Sequence, residues 1–251
     1  MKSNTKVKNI KLSMGVFVKC PHPEIIESLS LSGMDFAVID MEHVFATQAQ
    51  LYSLKLAADF RKFDLIVRIP SNTEEYFKWC LDLGYQYIQV PFVQSRDCAE
   101  KAIKMSHFSP KGERGLCRFV RAADFSISEK SEYIKKSNEN VKLIFQIEGK
   151  KGFDNLDDIL ESEGYYAIFV GPYDLSQSLG LPGDIWNAKV LEVMQKIIEK
   201  CKKRGVKVGT FTDSPAGINH WSKAGVDFIE YASDLAILIN GYNSLLKESQ
   251  L

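Results

Sequence analysis

Residues Val141–Ser176 read VKLIFQIEGKKGFDNLDDILESEGYYAIFVGPYDLS. Two short apolar runs, VKLIFQIE and AIFVG, lie on either side of the helical stretch LDDILESEG. Runs of this length, rich in Val, Ile and Phe, read as buried strands, and a helix is what carries the chain between parallel neighbours. The unit repeats outward in both directions. Before it come the strand candidates KLSMGVFV, FAVID, LIVRIP and YIQVPFV; after it come VKVGTF and FIEYA. Helical spacing fills the gaps in PEIIESLSLSG, TQAQLYSLKLAADFRK, EEYFKWCLDLG, RDCAEKAIKMSH, AKVLEVMQKIIEKCKKRG, PAGINHWSKAG and LAILINGYNSLLKE. Gly33, Gly84, Gly164, Gly205 and Gly225 stand where a left-handed residue closes a helix. About eight strand–helix units in 251 residues match a single (β/α)8 barrel over residues 1–251. A doubly wound open sheet is the competing α/β arrangement. No G-x-G-x-x-G follows the first strand, which removes its dinucleotide-binding form. The stretch SPKGERGLCRFVRAADFSIS, residues 109–128, is the one long irregular segment, and a loop that long reads as functional or mobile.

Composition excludes several function classes. Lys plus Arg and Asp plus Glu each number 32, so formal net charge is zero and no phosphate-backbone or anionic-membrane partner is indicated. Five scattered cysteines without a C-x-x-C pair argue against a disulfide framework or a zinc site. The start, MKSNTKVKNI, has no signal-like apolar core, and no apolar run reaches the roughly 20 residues a bilayer requires. The expectation is a soluble cytoplasmic protein.

Barrel chemistry gathers at the C-terminal ends of the strands. Those ends deliver Asp40, Glu42 and His43 from FAVIDMEHV, Arg68 from VRIP, Gln146 and Glu148 from FQIE, and Asp174 after the Gly171–Pro172 turn. Carboxylates on adjacent strand ends, Glu148 and Asp174, suit Mg²⁺ or Mn²⁺, which take few protein carboxylates and keep waters. The plainer alternative is a helix-capping Asp174 and a solvated Glu148. Arg68, inside an apolar run, needs an anion: a structural carboxylate or a substrate oxyanion. His43 follows an acid-rich strand end, and a carboxylate would raise its basicity. Asp82, in the unfavourable last turn of a helix, is a candidate for that carboxylate. Arg114, Arg118 and Arg121 form either an anion site or a solvated basic patch. Tyr173, Phe119 and Trp186 either shape a pocket or pack.

In order along the chain, GMDFAVIDMEH, LIVRIPSNT, CLDLGYQYIQVPFVQS, Arg114–Gly115, IFQIEGKKGFDNLDDILESEGYYAIFVGPYDLS and AGVDFIEYASDLAIL resemble the HpcH/HpaI aldolases, the class II pyruvate-dependent aldolases related to citrate lyase β subunits. The resemblance spans roughly residues 13–238. It implies that Glu148 and Asp174 are the ligands of a divalent cation (Mg²⁺, Mn²⁺ or Co²⁺), with Gln146 beside it. It implies that Arg68 binds the pyruvyl keto oxygen, that His43 is the general base with Asp82 as its carboxylate partner, that Gly171 and Pro172 face the pyruvate carboxylate, and that Asp40 is an acid beside the base. The implied reaction cleaves or forms a 4-hydroxy-2-oxo acid through a pyruvate enolate and an aldehyde. Tyr173 stands where familiar members carry a small residue, so it narrows the pyruvate pocket. An acyl-CoA lyase of the citrate lyase or malyl-CoA kind, and a non-catalytic barrel that binds an oxo acid, are the rival readings. The resemblance also implies a homo-oligomer, a hexamer or trimer of dimers, with the C-terminal helix, residues 235–251, exchanged between subunits.

Overall fold

The computed structural model describes residues 12–249. Eight strands, β1 (Ser13–Val18), β2 (Phe36–Asp40), β3 (Asp64–Arg68), β4 (Tyr87–Val90), β5 (Lys142–Ile147), β6 (Ala167–Val170), β7 (Lys207–Thr212) and β8 (Phe228–Ser233), close in sequence order into an all-parallel barrel. The expected (β/α)8 architecture is the one observed. Around it run α1 (Pro23–Leu31), α2 (Gln48–Arg61), α3 (Glu74–Asp82), α4 (Arg96–Ser106), α5 (Lys130–Asn140), α6 (Lys150–Asp154), α7 (Leu156–Leu160), α8 (Pro172–Ser178), α9 (Ala188–Lys203), α10 (Pro215–Ala224) and α11 (Asp234–Glu248). The five glycines expected to close helices all have φ between +70° and +101°.

Alternation along each strand sorts the side chains into two cores. Ala37, Ile39, Leu65, Val67, Ile88, Val90, Phe145 and Ile147 face outward and pack under the helices. Phe36, Val38, Ile66, Ile144, Ala167, Phe169 and Phe228 face inward and fill the barrel. Gly15 and Gly209 make room there for the rings of Phe36 and Phe228, since a Cβ at either position would be driven into the ring. Gly209→Ala is therefore expected to cost about 1–3 kcal/mol by overpacking, read as a lowered thermal midpoint.

One strand step above this apolar plug, the inward residues become polar. Asp40, Arg68, Gln89, Gln146 and Glu230 are all buried. The register sets Asp40 beside Arg68 and Arg68 beside Gln89, which makes them lateral neighbours on β2, β3 and β4. These buried polar residues of the interior lie toward the C-terminal mouth, the end at which barrel chemistry is built.

Residues 109–128 are held by side chains rather than left loose. Arg118 donates to the carbonyls of Ser126 and Ser128 at 3.1 Å each. Arg121 donates to the Leu83 carbonyl at 3.0 Å and to Asp59 at 2.6 Å. The 3₁₀ turn Arg121–Ser126 sits inside this stretch. With Arg114 donating to Asp82 at 2.6 Å, all three arginines engage protein groups, which favours a structural role for them over an anion site. No helix among the described residues is long and apolar enough to cross a membrane.

Candidate active site

At the C-terminal mouth a cavity of about 380 Å³ is lined by Lys19, His43, Arg68, Gln146, Glu148, Gly171, Pro172, Tyr173, Asp174 and Asp213, with Phe17, Phe169 and Phe211 as its apolar wall. That size suits a small ligand. A second cavity, of about 210 Å³ at the opposite mouth, is lined by Asp35, Phe36, Tyr87, Tyr166 and Lys207. That end of a barrel serves stability rather than chemistry.

Glu148 leaves β5 with 2% exposure. It is therefore no solvated strand end. Its Oε1 accepts the Phe92 N–H at 2.8 Å, and its Oε2 is held by the Gln146 amide. No cationic side chain pairs with it among the described residues, and its charged neighbours are the carboxylates of Glu42 and Asp174. Burial pushes the Glu148 carboxyl up, the two hydrogen bonds pull it down, and the neighbouring carboxylates push it up again, to about 7. Asp174 lies in the first turn of α8, but the cap position belongs to Gly171 and no side chain caps the helix. The capping alternative for Asp174 falls with that observation. Gly171 also keeps space open: a Cβ there would lie 2.9 Å from Glu148 Oε2.

Two acids, one of them buried without a counter-cation, fit a hard divalent ion that keeps several waters. No cluster of three or more His, Cys, Asp or Glu side chains in metal-holding geometry occurs among the described residues. The donor set is thus unlike a closed structural zinc site. Gly171→Ala is expected to push the Glu148 carboxylate aside and weaken Mn²⁺ binding about tenfold or more, as measured by calorimetry.

Arg68 ends β3 at 9% exposure. Its Nε donates to Asp40 Oδ1 at 3.0 Å, and its Nη2 lies 2.8 Å from Asp40 Oδ2. Glu42 adds a third acidic oxygen 3.3 Å from Nε. The guanidinium lies over the Phe17 ring at 4.7 Å. No protein group among the described residues accepts from Nη1, so one edge of the fork stays open beside the cavity.

Asp40, 1% exposed, backs this arginine rather than lining the cavity. It also receives Lys19 and the backbone N–H groups of Glu42 and His43. Burial raises its carboxyl, but Arg68 and Lys19 outweigh that and hold it at about 2. His43 sits exposed at the cavity edge. Asp82 is not brought to it within this chain: its carboxylate binds Arg114 at 2.6 Å and faces a separate hollow with Trp79 and Arg121.

Tyr173 lines the cavity and donates to Asp213 at 2.9 Å. Trp186 instead stacks on Trp221, with ring centroids 6.1 Å apart, and Phe119 is exposed. Lys19, Gln89 and Glu230 are polar residues of this region that sequence reasoning passed over. The signal for the last two was a lone polar residue at an inward position of an apolar strand, in YIQV and FIEYA.

Comparisons with known proteins bear on the same chain. The family model for HpcH/HpaI aldolase/citrate lyase matches residues 13–241. A 5-keto-4-deoxy-D-glucarate aldolase of Escherichia coli O6:H1 is 32% identical over 231 residues, covering 90% of this chain and 88% of the relative. The crystal structure of an HpcH/HpaI aldolase/citrate lyase family protein from Burkholderia cenocepacia J2315 superposes with a TM-score of 0.92 at 29% identity, covering 97% of this chain and 96% of the other. The citrate synthase SbnG does so with a TM-score of 0.86 at 30% identity, covering 96% and 94%. Barrel, mouth-facing acids and sequence likeness converge: this chain belongs to the HpcH/HpaI aldolase/citrate lyase family.

Proposed function

We propose that the protein is a divalent-metal aldolase that cleaves or forms a 4-hydroxy-2-oxo acid through a pyruvate enolate. One observation carries the reading. Glu148 is a buried carboxylate without a counter-cation, beside Asp174, in the cavity that Arg68 also lines. A divalent cation bound by Glu148 and Asp174 would supply positive charge to the carboxylate and keto oxygens of the oxo acid.

The residues divide the remaining work. In the cleavage direction His43 accepts the proton of the C4 hydroxyl, directly or through a water. The C3–C4 bond breaks, the aldehyde leaves, and the electron pair moves onto the keto oxygen. The open edge of Arg68 holds that developing charge, and Asp40 keeps the guanidinium aimed because it is itself fixed from behind. Return of a proton to C3 gives pyruvate. The buried Gly171–Pro172 turn and Gln146 would border the oxo-acid end, and the more exposed Tyr173 and Asp213 would border the aldehyde substituent. Apart from Lys19, no lysine lines the cavity among the described residues, and Lys19 is paired with Asp40. That arrangement supports enolate rather than Schiff-base chemistry.

A panel of 4-hydroxy-2-oxo acids, with pyruvate release as readout, tests the reading. Activity is expected with Mg²⁺ or Mn²⁺ and lost with EDTA; full turnover after chelation would refute metal dependence. The likeness to a citrate synthase keeps an acyl-CoA substrate as the second reading. Arg114, Arg118 and Arg121, the basic residues that a CoA phosphate would recruit, are already bound to Asp82, to the Ser126 and Ser128 carbonyls, and to Asp59. CoA is therefore expected to show no binding by calorimetry.

The proposal includes a homo-oligomer. α11 buries none of its residues, and Leu235, Leu238, Ile239, Tyr242, Leu245 and Leu246 are exposed along it. An apolar helix face of that extent calls for a covering partner, and a second copy of the chain is the one the family relation supports. Leu238→Glu together with Ile239→Asp is expected to shift the mass in light scattering toward the monomer; an unchanged mass places the contact elsewhere.

A further inference from the structure

We propose that Glu230 is a positioning residue: paired with Gln89 inside the barrel, it holds the Gln146 amide in place with its nitrogen toward Glu148. All four side chains are buried, with exposures of 0%, 0%, 1% and 2% for Glu230, Gln89, Gln146 and Glu148. They form one file across the barrel interior. Gln89 Nε2 donates to Gln146 Oε1 at 2.7 Å and reaches Glu230 Oε2 at 3.4 Å. Gln146 Nε2 then donates to Glu148 Oε2.

An amide has a donor end and an acceptor end, and this file leaves only one consistent arrangement. Were Gln89 reversed, its oxygen would face the oxygen of Gln146. Were Gln146 to follow, its oxygen would face the Glu148 carboxylate. Such oxygen–oxygen contacts are costly in a buried site, where nothing else answers an unpaired polar group. The Glu148 carboxylate, an acceptor only, sets the sense of the file, and the Gln89–Glu230 pair holds it from the far end.

The two atoms left over identify the form of the pair. Gln89 Oε1 and Glu230 Oε1 are both buried without a hydrogen-bond partner. A neutral carboxylic acid has edges complementary to a carboxamide: one oxygen accepts the N–H while its O–H donates to the amide oxygen. A protonated Glu230 thus answers both leftover atoms at once. Complete burial pushes its carboxyl up, outweighing the charge of nearby Arg68 and the Gln89 hydrogen bond, with Asp40 adding to the rise, to about 8. Neutral Glu230 also leaves Arg68 to Asp40 and Glu42, the acids that touch it.

The functional consequence rests on the metal reading of Glu148; the pair itself does not. The experiment measures Mn²⁺ affinity of the full-length protein by calorimetry for wild type, Glu230→Leu and Glu230→Gln. Glu230→Leu is expected to weaken Mn²⁺ about 10–100-fold, the usual reach of a group that orients a ligand from behind. Glu230→Gln offers the same donor and acceptor edges as the neutral acid and is expected to restore wild-type affinity. Wild-type affinity in folded Glu230→Leu overturns the proposal. So does a Glu230→Gln protein as weak as the leucine variant, which would make Glu230 a counter-charge to Arg68. Gln89→Leu breaks the same file from the other member and serves where Glu230→Leu does not fold, with the same loss expected. Failure of the wild type to bind Mn²⁺ strikes the metal reading instead. The pair is then read from thermal unfolding of Gln89→Leu, Glu230→Leu and the double variant: the effects are expected to be non-additive, and additive losses refute the pairing.

Discussion

Arg68→Ala is expected to lower kcat about 10²–10³-fold with metal still bound, and to cost about 3–5 kcal/mol of stability. The two losses have separate origins. The first, on the proposed mechanism, is removal of the donor that would meet charge developing on the keto oxygen. The second is Asp40, left buried at 1% exposure without the guanidinium that pairs with it. Arg68→Lys separates them, since an ammonium restores part of the charge to Asp40 but not the fork. Chemical denaturation and single-turnover kinetics on both variants check the division.

The sign of the pH dependence follows from the same pair. The Asp40 carboxyl is held at about 2 against an ordinary 3.8. A depressed acid contributes stability that is present above its unfolded pKa and is lost as pH falls through the folded one. Wild type should thus lose about 2 kcal/mol between roughly pH 4 and pH 2 from this group. Arg68→Ala lacks the pair, so its stability deficit against wild type should shrink over the same pH range.

Glu148→Gln carries the second large effect. The substitution is nearly isosteric, so the fold is kept while an anionic oxygen is lost from the proposed metal site. Mn²⁺ affinity and pyruvate release are expected to fall together by about 10² or more. The metal-free protein should melt near the wild-type temperature: the charge beside Glu42 and Asp174 is removed, but the new amide nitrogen must face either the Phe92 N–H or the Gln146 amide, from both of which Glu148 accepts. Asp174→Asn should lose metal with little gain in stability, since Asp174 is exposed. A Glu148→Gln protein that binds Mn²⁺ like wild type would remove Glu148 from the metal site.

The fold was legible because parallel strands buried on both faces write themselves as apolar runs, and FAVID, AIFV and KLIFQI are buried nearly throughout. The acids at the mouth were legible for a related reason: in such runs a terminal carboxylate stands out, as Glu148 and Asp174 do. Less was readable where tertiary contact decides. α5, KSEYIKKSNEN, went unnoticed because it is polar almost all round and buries only Tyr133 and Asn138. Asp82 was noticed for its unfavourable helix end, but its Arg114 partner comes from a loop 32 residues away. Asp40 looked like an acid beside a base, yet register places it against Arg68. Gln89 and Glu230 were readable in principle, since each shares strand parity with inward residues such as Tyr87 and Phe228; their meeting across the closed barrel was not.

The central claim is enolate formation at this mouth, and the most direct measurement is exchange of the pyruvate methyl protons in D₂O, followed by NMR. It needs no knowledge of the aldehyde. Exchange is expected with Mg²⁺ or Mn²⁺, is expected to stop with EDTA, and is expected to weaken in His43→Ala. Absence of exchange in metal-loaded wild type would contradict the account and leave a barrel that binds an oxo acid without enolising it.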